Sequence, residues 1–202
     1  MRGILVNKML NRTKTIKALT LSDLSVWSGS ALITVIAPLF VLSQIKGATL
    51  TDYGVSAMIY TAVGALFNIP FGRLMDKKKS YLNELVILSL SNFIRGAALI
   101  YLAFSHNLWE LYLVQTVTGL AKSLNLTSWR ILFSKSLNQD HAGVQWGMYD
   151  TITSIGLGVA AFLGGLIGDK VGLQWVVLIG GIMSLIATIF PLMAYKEVRN
   201  LK

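Results

Sequence analysis

Six long apolar runs dominate the sequence, and short polar connections separate them. A helix that crosses a membrane needs about 20 mostly apolar residues. Each run has roughly that length, and no connection is long enough to hold a soluble domain, so the pattern predicts six transmembrane helices. The predicted spans are Leu24–Gln44, Gly54–Phe71, Leu85–Phe104, Leu108–Leu126, Val144–Gly168 and Leu173–Tyr195.

The composition argues against the alternative of a soluble helical bundle with an apolar core. Hydrophobic residues make up 54% of the chain and charged residues 13%, whereas soluble domains have about 25% charged residues. So few charges cannot cover a surface that faces water. The sequence therefore predicts an all-α membrane protein in contact with a lipid bilayer.

The basic residues lie between the apolar runs and predict the orientation of the bundle. Of the 18 Lys and Arg residues, only Lys46 and Lys170 fall on one side, and Arg95 and Lys122 lie inside predicted spans. All the others fall on the other side, which the positive-inside rule makes cytoplasmic. We therefore expect a multi-pass protein of the cytoplasmic membrane. Its predicted parts are cytoplasmic tails at residues 1–20 and 197–202 and a bundle at residues 21–196. The net charge of +9 is then a topology and anionic-lipid signal rather than a nucleic-acid signal.

The residue types needed for several kinds of catalytic site are missing from the sequence. The chain has no cysteine, and its two histidines, His106 and His141, fall in different connections. There is no Ser/His dyad within the spans and no phosphate-binding Gly-Lys-Ser/Thr loop. The sequence therefore predicts no enzyme, no metal site and no cofactor.

A short motif occurs twice, at equivalent places along the chain. Gly72, Leu74, Asp76 and Lys77 follow the second span, and Gly165, Ile167, Asp169 and Lys170 follow the fifth at one constant offset. A single copy could be an ordinary basic loop with an incidental acid, but a second copy argues against that. Because three helices separate the copies, they lie on opposite faces, as an inverted repeat of three plus three helices requires. The repeats cover about 21–104 and 108–196.

With these residues the sequence resembles the major facilitator superfamily, in particular the N-terminal half of such a transporter. The family signature is Gly-x-Leu-x-Asp-Arg/Lys-x-Gly-Arg/Lys-Arg/Lys, and Gly72, Leu74, Asp76 and Lys77 match it, whereas Lys79 and Ser80 depart from it. The resemblance implies a gate at the signature, in which Asp76 lies near Arg130 on the cytoplasmic side. It also implies a cavity lined by helices 1 and 4, with helix 3 at the periphery.

Ionisable residues inside a span are expensive to insert and are functional candidates. Lys122 and Asp150 have similar predicted depths, so we expect them to pair, either as a substrate or proton site or as a packing contact. Arg95 lies on the peripheral helix 3 and is predicted to face helix 2, a partner subunit or the outer headgroups. Its role stays open.

Neutral polar residues accompany these charges. Gln115, Thr118, Lys122 and Asn125 form a stripe on one face of the fourth helix, which indicates a wet cavity or a helix contact. The predicted substrate or proton cavity comprises Thr34, Asn68, Gln115, Thr118, Lys122, Asn125 and Asp150.

Other features have packing interpretations. Asp23, Glu84 and Glu110 are predicted at the starts of helices 1, 3 and 4, where acids complement the helix dipole. Ala160, Gly164 and Gly168 repeat every four residues, which favours close helix packing or a sliding surface. Pro38, Pro70 and Pro191 are expected to kink helices 1, 2 and 6.

The favoured function is secondary transport of a small solute by alternating access. Six helices supply half of the usual twelve, so we expect a homodimer of half-transporters or a second half-transporter as partner. Basic segments at both ends favour a natural half-size member. A non-transporting membrane module and a truncated fragment of a longer transporter remain as alternatives.

Overall fold

A computed structural model describes the backbone of residues 2–78 and 80–195, and the side chains of residues 14–77, 80 and 82–195. Within these ranges the regular structure is helical throughout. The predicted C-terminal tail and the signature position Lys79 lie outside the described residues. The helices are α1 Arg2–Gln44, α2 Leu50–Lys78, α3 Tyr81–Ala103, α4 Leu108–Ser136, α5 Ala142–Lys170, α6 Leu173–Ala187 and α7 Ile189–Met193.

Among the described residues, five segments are long and apolar enough to cross a membrane. They are Lys14–Gln44, Leu50–Lys77, Leu82–Ala103, Gln139–Lys170 and Leu173–Met193. Of the six predicted spans, the fourth is the exception, although α4 has 29 residues and thus a length of about 43 Å. It falls short in apolar character because polar side chains such as Thr118, Ser123, Asn125 and Ser128 are buried along it. The described part of the protein is therefore an all-helical membrane bundle with five candidate spans.

The helices extend beyond the apolar runs, which corrects two predictions. The signature residues Gly72–Lys77 belong to the last turns of α2 rather than to a loop, and the second copy likewise forms the end of α5. In addition, α1 begins at Arg2, so Asp23 lies far inside a helix and does not cap its dipole. Apolar residues mark only the part of a helix that faces hydrocarbon, and polar residues continue the same helix beyond it.

The dipole prediction holds for the other two acids. Glu84 lies in the first turn of α3 and Glu110 in the first turn of α4. Glu110 Oε2 accepts the backbone N–H groups of His106 and Asn107, both at 2.9 Å. These bonds satisfy donors that a helix start leaves without an intrahelical acceptor.

The sixth predicted helix is interrupted near its end, as its proline predicts. α6 ends at Ala187 and α7 starts at Ile189. Pro191 has no N–H to donate to the carbonyl four residues earlier, which is that of Ala187. Ser22 Oγ and Asn92 Nδ2 donate to this carbonyl instead, both at 3.2 Å. Neighbouring helices thus satisfy the backbone oxygen that the proline leaves free. By contrast, α1 and α2 continue past Pro38 and Pro70.

Packing between the helices follows a simple scheme. α1 packs against α5 and α6, α4 packs against α2 and α3, and α3 packs against α6. α2 and α5 are the least buried spans and therefore form the outer flanks of the bundle.

Small residues let these helices approach closely. α5 packs its glycine face on α1, where a Cβ at Gly164 would overlap the carbonyl oxygen of Leu32 and lie 2.8 Å from its Cα. Gly168 faces Ile36 one turn further along. The predicted close packing is therefore confirmed at Gly164 and Gly168, and Ala160 is buried in the core.

Candidate functional site

A cavity of about 340 Å³ lies among α1, α2, α3 and α4, and Leu157 of α5 completes its lining. Aromatic and aliphatic side chains form most of its wall, and a few polar groups project into it. Its described polar and aromatic lining residues are Trp27, Ser30, Thr34, Tyr53, Tyr60, Arg95, Gln115, Thr118 and Lys122. A concave, mostly apolar site with a few convergent polar groups is the usual form of a small-molecule site.

Arg95 projects from α3 into this cavity and is only 7% exposed. Its Nη2 donates to Ser30 Oγ at 2.5 Å and its Nη1 to Tyr60 OH at 3.4 Å. The guanidinium carbon lies 5.9 Å from the ring centroid of Trp27. Arg95 therefore joins α1, α2 and α3 at the cavity wall. It does face α2, as one of the sequence interpretations has it.

Lys122 reaches the same cavity from α4. Its Nζ lies 4.5 Å from the ring centroid of Tyr60, which is within the range of a cation–π contact. The absence of a side chain at Gly64 makes room for its stem, since a Cβ there would lie 3.3 Å from Lys122 Cδ. Tyr60 consequently contacts both cations, Arg95 through its hydroxyl and Lys122 through its ring face.

The structure brings four of the seven predicted cavity residues together. Thr34 lies on α1, and Gln115, Thr118 and Lys122 follow one face of α4. The stripe on α4 is therefore a cavity wall over most of its length. Asn68, Asn125 and Asp150 lie elsewhere.

Asn125, the last residue of the stripe, turns towards α3. Its Nδ2 donates to Asn92 Oδ1 at 2.7 Å, and Asn92 in turn donates to Ser22 Oγ at 3.1 Å. Asn92 is fully buried. These side chains and the Ala187 carbonyl form a buried network that connects α1, α3, α4 and α6. Asn68 makes a simpler contact, as its Oδ1 accepts from Ser123 Oγ at 2.9 Å.

The predicted pair of Lys122 and Asp150 is wrong. Asp150 is exposed, and no ion pair joins the two residues in the described part of the chain. The ring of its neighbour Tyr149 lies 4.7 Å from that of Trp129. Trp129 follows Lys122 by about two helical turns on α4. Asp150 therefore lies about two turns closer than Lys122 to the end of the bundle that carries the signature. The apolar run ends at Leu126, whereas α4 continues to Ser136, so Lys122 lies further from the end of the helix than the run predicts.

A different acid, on α1, is buried close to the cavity. Asp23 on α1 is 3% exposed and accepts hydrogen bonds from Trp27 Nε1 at 2.9 Å and from the hydroxyl of Tyr149. Trp27 also forms part of the cavity wall. The carboxylate therefore lies behind that wall, with both of its oxygens engaged, and does not line the cavity.

At the end of the bundle that carries the signature, Asp76 and Arg130 line one groove of about 670 Å³. Both are exposed, and within the described side chains they form no ion pair. The ion pair in this groove joins Lys135 Nζ and Glu84 Oε1 at 3.5 Å, with Glu84 buried. Gly72, Leu74 and Lys77 share the last turns of α2 with Asp76. Gly165, Asp169 and Lys170 lie at the end of α5, with Asp169 and Lys170 exposed.

Sequence reasoning missed Trp27 and Tyr60 as cavity residues and left Arg95 unassigned. Arg95 carried a usable signal, since an arginine inside an apolar run needs buried polar partners. The two aromatic residues carried none, because aromatic side chains are common wherever a helix meets lipid or another helix.

Comparison with models of known protein families identifies the family of the chain. The family model for the Major Facilitator Superfamily matches residues 19–201, which include every helix from the middle of α1 onward. No curated protein matches the sequence. The family is one of transporters, not of enzymes, and its match agrees with the apolar helices and the internal cavity. The chain belongs to the Major Facilitator Superfamily and is a membrane transporter protein.

Proposed function

We propose that the chain is a secondary transporter that moves a small solute by alternating access, with the cavity between α1, α2, α3 and α4 as its binding site. The observation that carries this proposal is the convergence of Arg95, Lys122, Gln115 and Thr118 on one cavity. Burying cations inside an apolar bundle is costly. A solute site accounts for that cost, whereas a role in packing alone would be served by apolar residues.

The proposed topology has six spans with both termini in the cytoplasm. α4 is the span that falls short on apolar character. Polar residues along its middle face the cavity or partners on neighbouring helices, namely Gln115, Thr118, Lys122, Ser123 and Asn125. The length of α4 exceeds the ~30 Å hydrocarbon core. The asymmetric distribution of Lys and Arg supports the orientation in the cytoplasmic membrane.

The packing scheme supports a three-plus-three inverted repeat. If α1, α2 and α3 correspond to α4, α5 and α6, then the contact of α1 with α5 corresponds to that of α4 with α2. Likewise, α1 with α6 corresponds to α4 with α3, and α3 with α6 corresponds to itself. α2 and α5 also have the same length of 29 residues.

A second bundle completes the proposed machine, because alternating access needs two units that move about one site. α2 and α5 expose apolar side chains on the outer flanks, including Met58, Leu66, Ile155 and Phe162. We propose that a second copy of the chain covers part of this surface. A further six-helix half in the same polypeptide is the alternative.

Reconstitution of the purified chain tests the function. Proteoliposomes are loaded with a mixture of labelled small solutes, and the flux of each solute is measured. It is compared with the flux from liposomes that contain no protein and from proteoliposomes that contain an Arg95→Met, Lys122→Met double variant. The expected result is flux of one solute class that the double variant abolishes. Equal flux with and without protein would favour a non-transporting membrane module. The mass of the particle in nanodiscs then decides between a monomer and a homodimer.

A further inference from the structure

We propose that the solute bound in the cavity is a small organic anion that carries a carboxylate or phosphate group. The proposal rests on the proposed function, because it assigns a substrate class to that same cavity. It follows from the charge balance of the cavity wall.

Two cations line the cavity, and no acid does among its described lining residues. Arg95 contacts the hydroxyl of Tyr60 and Lys122 its ring face. Neither has an acidic partner within ion-pair distance in the described part of the chain.

The nearby acids are engaged elsewhere. Asp23 lies behind Trp27 and accepts from two donors, while Glu84 pairs with Lys135 at one end of the bundle. At the other end, Asp52 accepts from Tyr112 and Glu110 from backbone N–H groups. The positive charge of the cavity is therefore not compensated locally.

Arg95 also has unused donors. A guanidinium carries five N–H groups, and the described contacts use two of them, on Nη1 and Nη2. Its buried Nε has no hydrogen-bond partner among the described atoms. Carboxylate and phosphate oxygens match the planar fork of an arginine and form short, charge-assisted hydrogen bonds with it. Lys122 adds a second point charge from the facing helix.

The remaining wall fits the organic part of such a solute. Trp27, Tyr53, Tyr60, Leu99 and Leu102 provide apolar and aromatic surface. Gln115 on α4 adds a neutral polar group, which can accept or donate. The volume of about 340 Å³ is at the lower end for small-ligand sites and indicates a compact solute.

The test measures binding by the purified full chain in detergent, separately from transport. The probes are inorganic phosphate, succinate and benzoate as anions, glycerol as a neutral solute and choline as a cation. We expect at least one anion to bind and to raise the melting temperature, with no effect of glycerol or choline. Lys122→Met and Arg95→Met are each expected to weaken this binding at least tenfold, the scale of losing one charged partner.

Two further variants separate loss of binding from loss of folding. Lys46→Met removes one positive charge at an exposed site outside the cavity and is expected to keep the wild-type affinity. Arg95→Lys keeps the charge and is expected to retain part of the binding that Arg95→Met loses. If Lys46→Met weakens binding as much as Lys122→Met, only a general charge effect is present and the proposal is wrong.

The outcomes for substrate class and for transport are distinguishable. Binding of choline or glycerol with no binding of any anion rejects the anion assignment, while flux of those solutes would still support a transporter. Anion binding that depends on Arg95 and Lys122, without anion flux into proteoliposomes, supports the anion site and rejects the transport function. No binding by any of the three anions rejects the assignment.

Discussion

Arg95 and Ser30 are hydrogen-bonded across the cavity wall, with Nη2 of Arg95 2.5 Å from Ser30 Oγ. The same hydroxyl donates to the carbonyl of Val26 at 2.8 Å, so its proton is occupied and its lone pairs are available to the guanidinium. Ser30 therefore holds the arginine in one orientation.

Replacing this hydroxyl should loosen the arginine without removing a charge. Ser30→Ala is expected to weaken binding of the anion identified above about two- to tenfold, the scale of one net hydrogen bond. The affinity is measured by titration of purified protein. Ser25→Ala is the matched control, because Ser25 Oγ donates to the Leu21 carbonyl on the same helix at 2.9 Å and lies outside the cavity lining. Equal affinities for both variants would contradict a positioning role for Ser30.

The charge of the cavity can also be measured with reactive probes, since the chain has no cysteine of its own. Thr34→Cys places a thiol in the cavity wall. We expect an anionic methanethiosulfonate to modify it about tenfold faster than a cationic one, because clefts of one charge sign concentrate the opposite ion. Rates are normalised to those at Thr51→Cys, an exposed site at the start of α2. Ile36→Cys, which is buried in the core, should not react. Faster modification of Thr34→Cys by the cationic reagent would refute a positively charged cavity.

Two glycines on α5 separate close packing from helix propensity. Gly164→Ala puts a methyl group against the backbone of Leu32 and should destabilise the fold by about 1–3 kcal/mol, as overpacking does. Gly158→Ala meets open space and should be neutral or stabilise by about 0.5–1 kcal/mol. Thermal unfolding in detergent measures both variants. The same loss of stability in the two variants would show that the α1–α5 contact does not depend on Gly164.

The loss of stability on replacing a buried asparagine should scale with the number of hydrogen bonds that it makes. Asn92→Leu removes three hydrogen bonds, to Ser22, Asn125 and the Ala187 carbonyl. At about 0.6 kcal/mol per bond inside a membrane protein, the loss is roughly 2 kcal/mol. Asn68→Leu removes one bond, with Ser123, and should cost about a third as much. Unfolding in a denaturing detergent compares the two, and a larger loss for Asn68→Leu would contradict the assignment.

Topology has a direct test with an impermeant maleimide. Asp140→Cys lies between α4 and α5, at the end of the bundle that carries the signature. Thr51→Cys lies at the start of α2, at the other end of the bundle. Both sites are exposed. With the termini in the cytoplasm, intact cells should label Thr51→Cys and inverted vesicles Asp140→Cys. The reverse pattern would invert the proposed orientation. Labelling of both sites from one side would show that one of the three helices between them does not cross the membrane, and α4 is the one that is not among the five candidate spans.

The sequence predicted the helices better than their partners, for a physical reason. Apolar runs locate the hydrocarbon core, and polar periodicity places Gln115, Thr118 and Lys122 on one face of α4. Periodicity does not say which neighbour that face meets. α4 contacts both α2 and α3, and Asn125, one turn beyond Lys122, already belongs to the α3 side.

The incorrect prediction that Lys122 pairs with Asp150 has a second physical reason. Their helices follow each other in sequence, but α5 packs mainly against α1 and α6 while α4 packs against α2 and α3. The ends of apolar runs predict the depth of a residue only where the helix ends with its run, and α4 continues well past its run. The position of Arg95 beside Ser30 and Tyr60 depends on three helices meeting, which no local pattern contains.

Pro191 lacks the backbone N–H that any other residue at this position would donate within the helix. This has a consequence for sequence variation in relatives. The free carbonyl of Ala187 gives Ser22 and Asn92 an acceptor, so the three positions 22, 92 and 191 form one unit. A relative with an ordinary residue at position 191 regains the helical N–H and no longer needs those donors. Position 191 is therefore expected to covary with positions 22 and 92, with proline accompanied by polar residues and its loss accompanied by apolar ones.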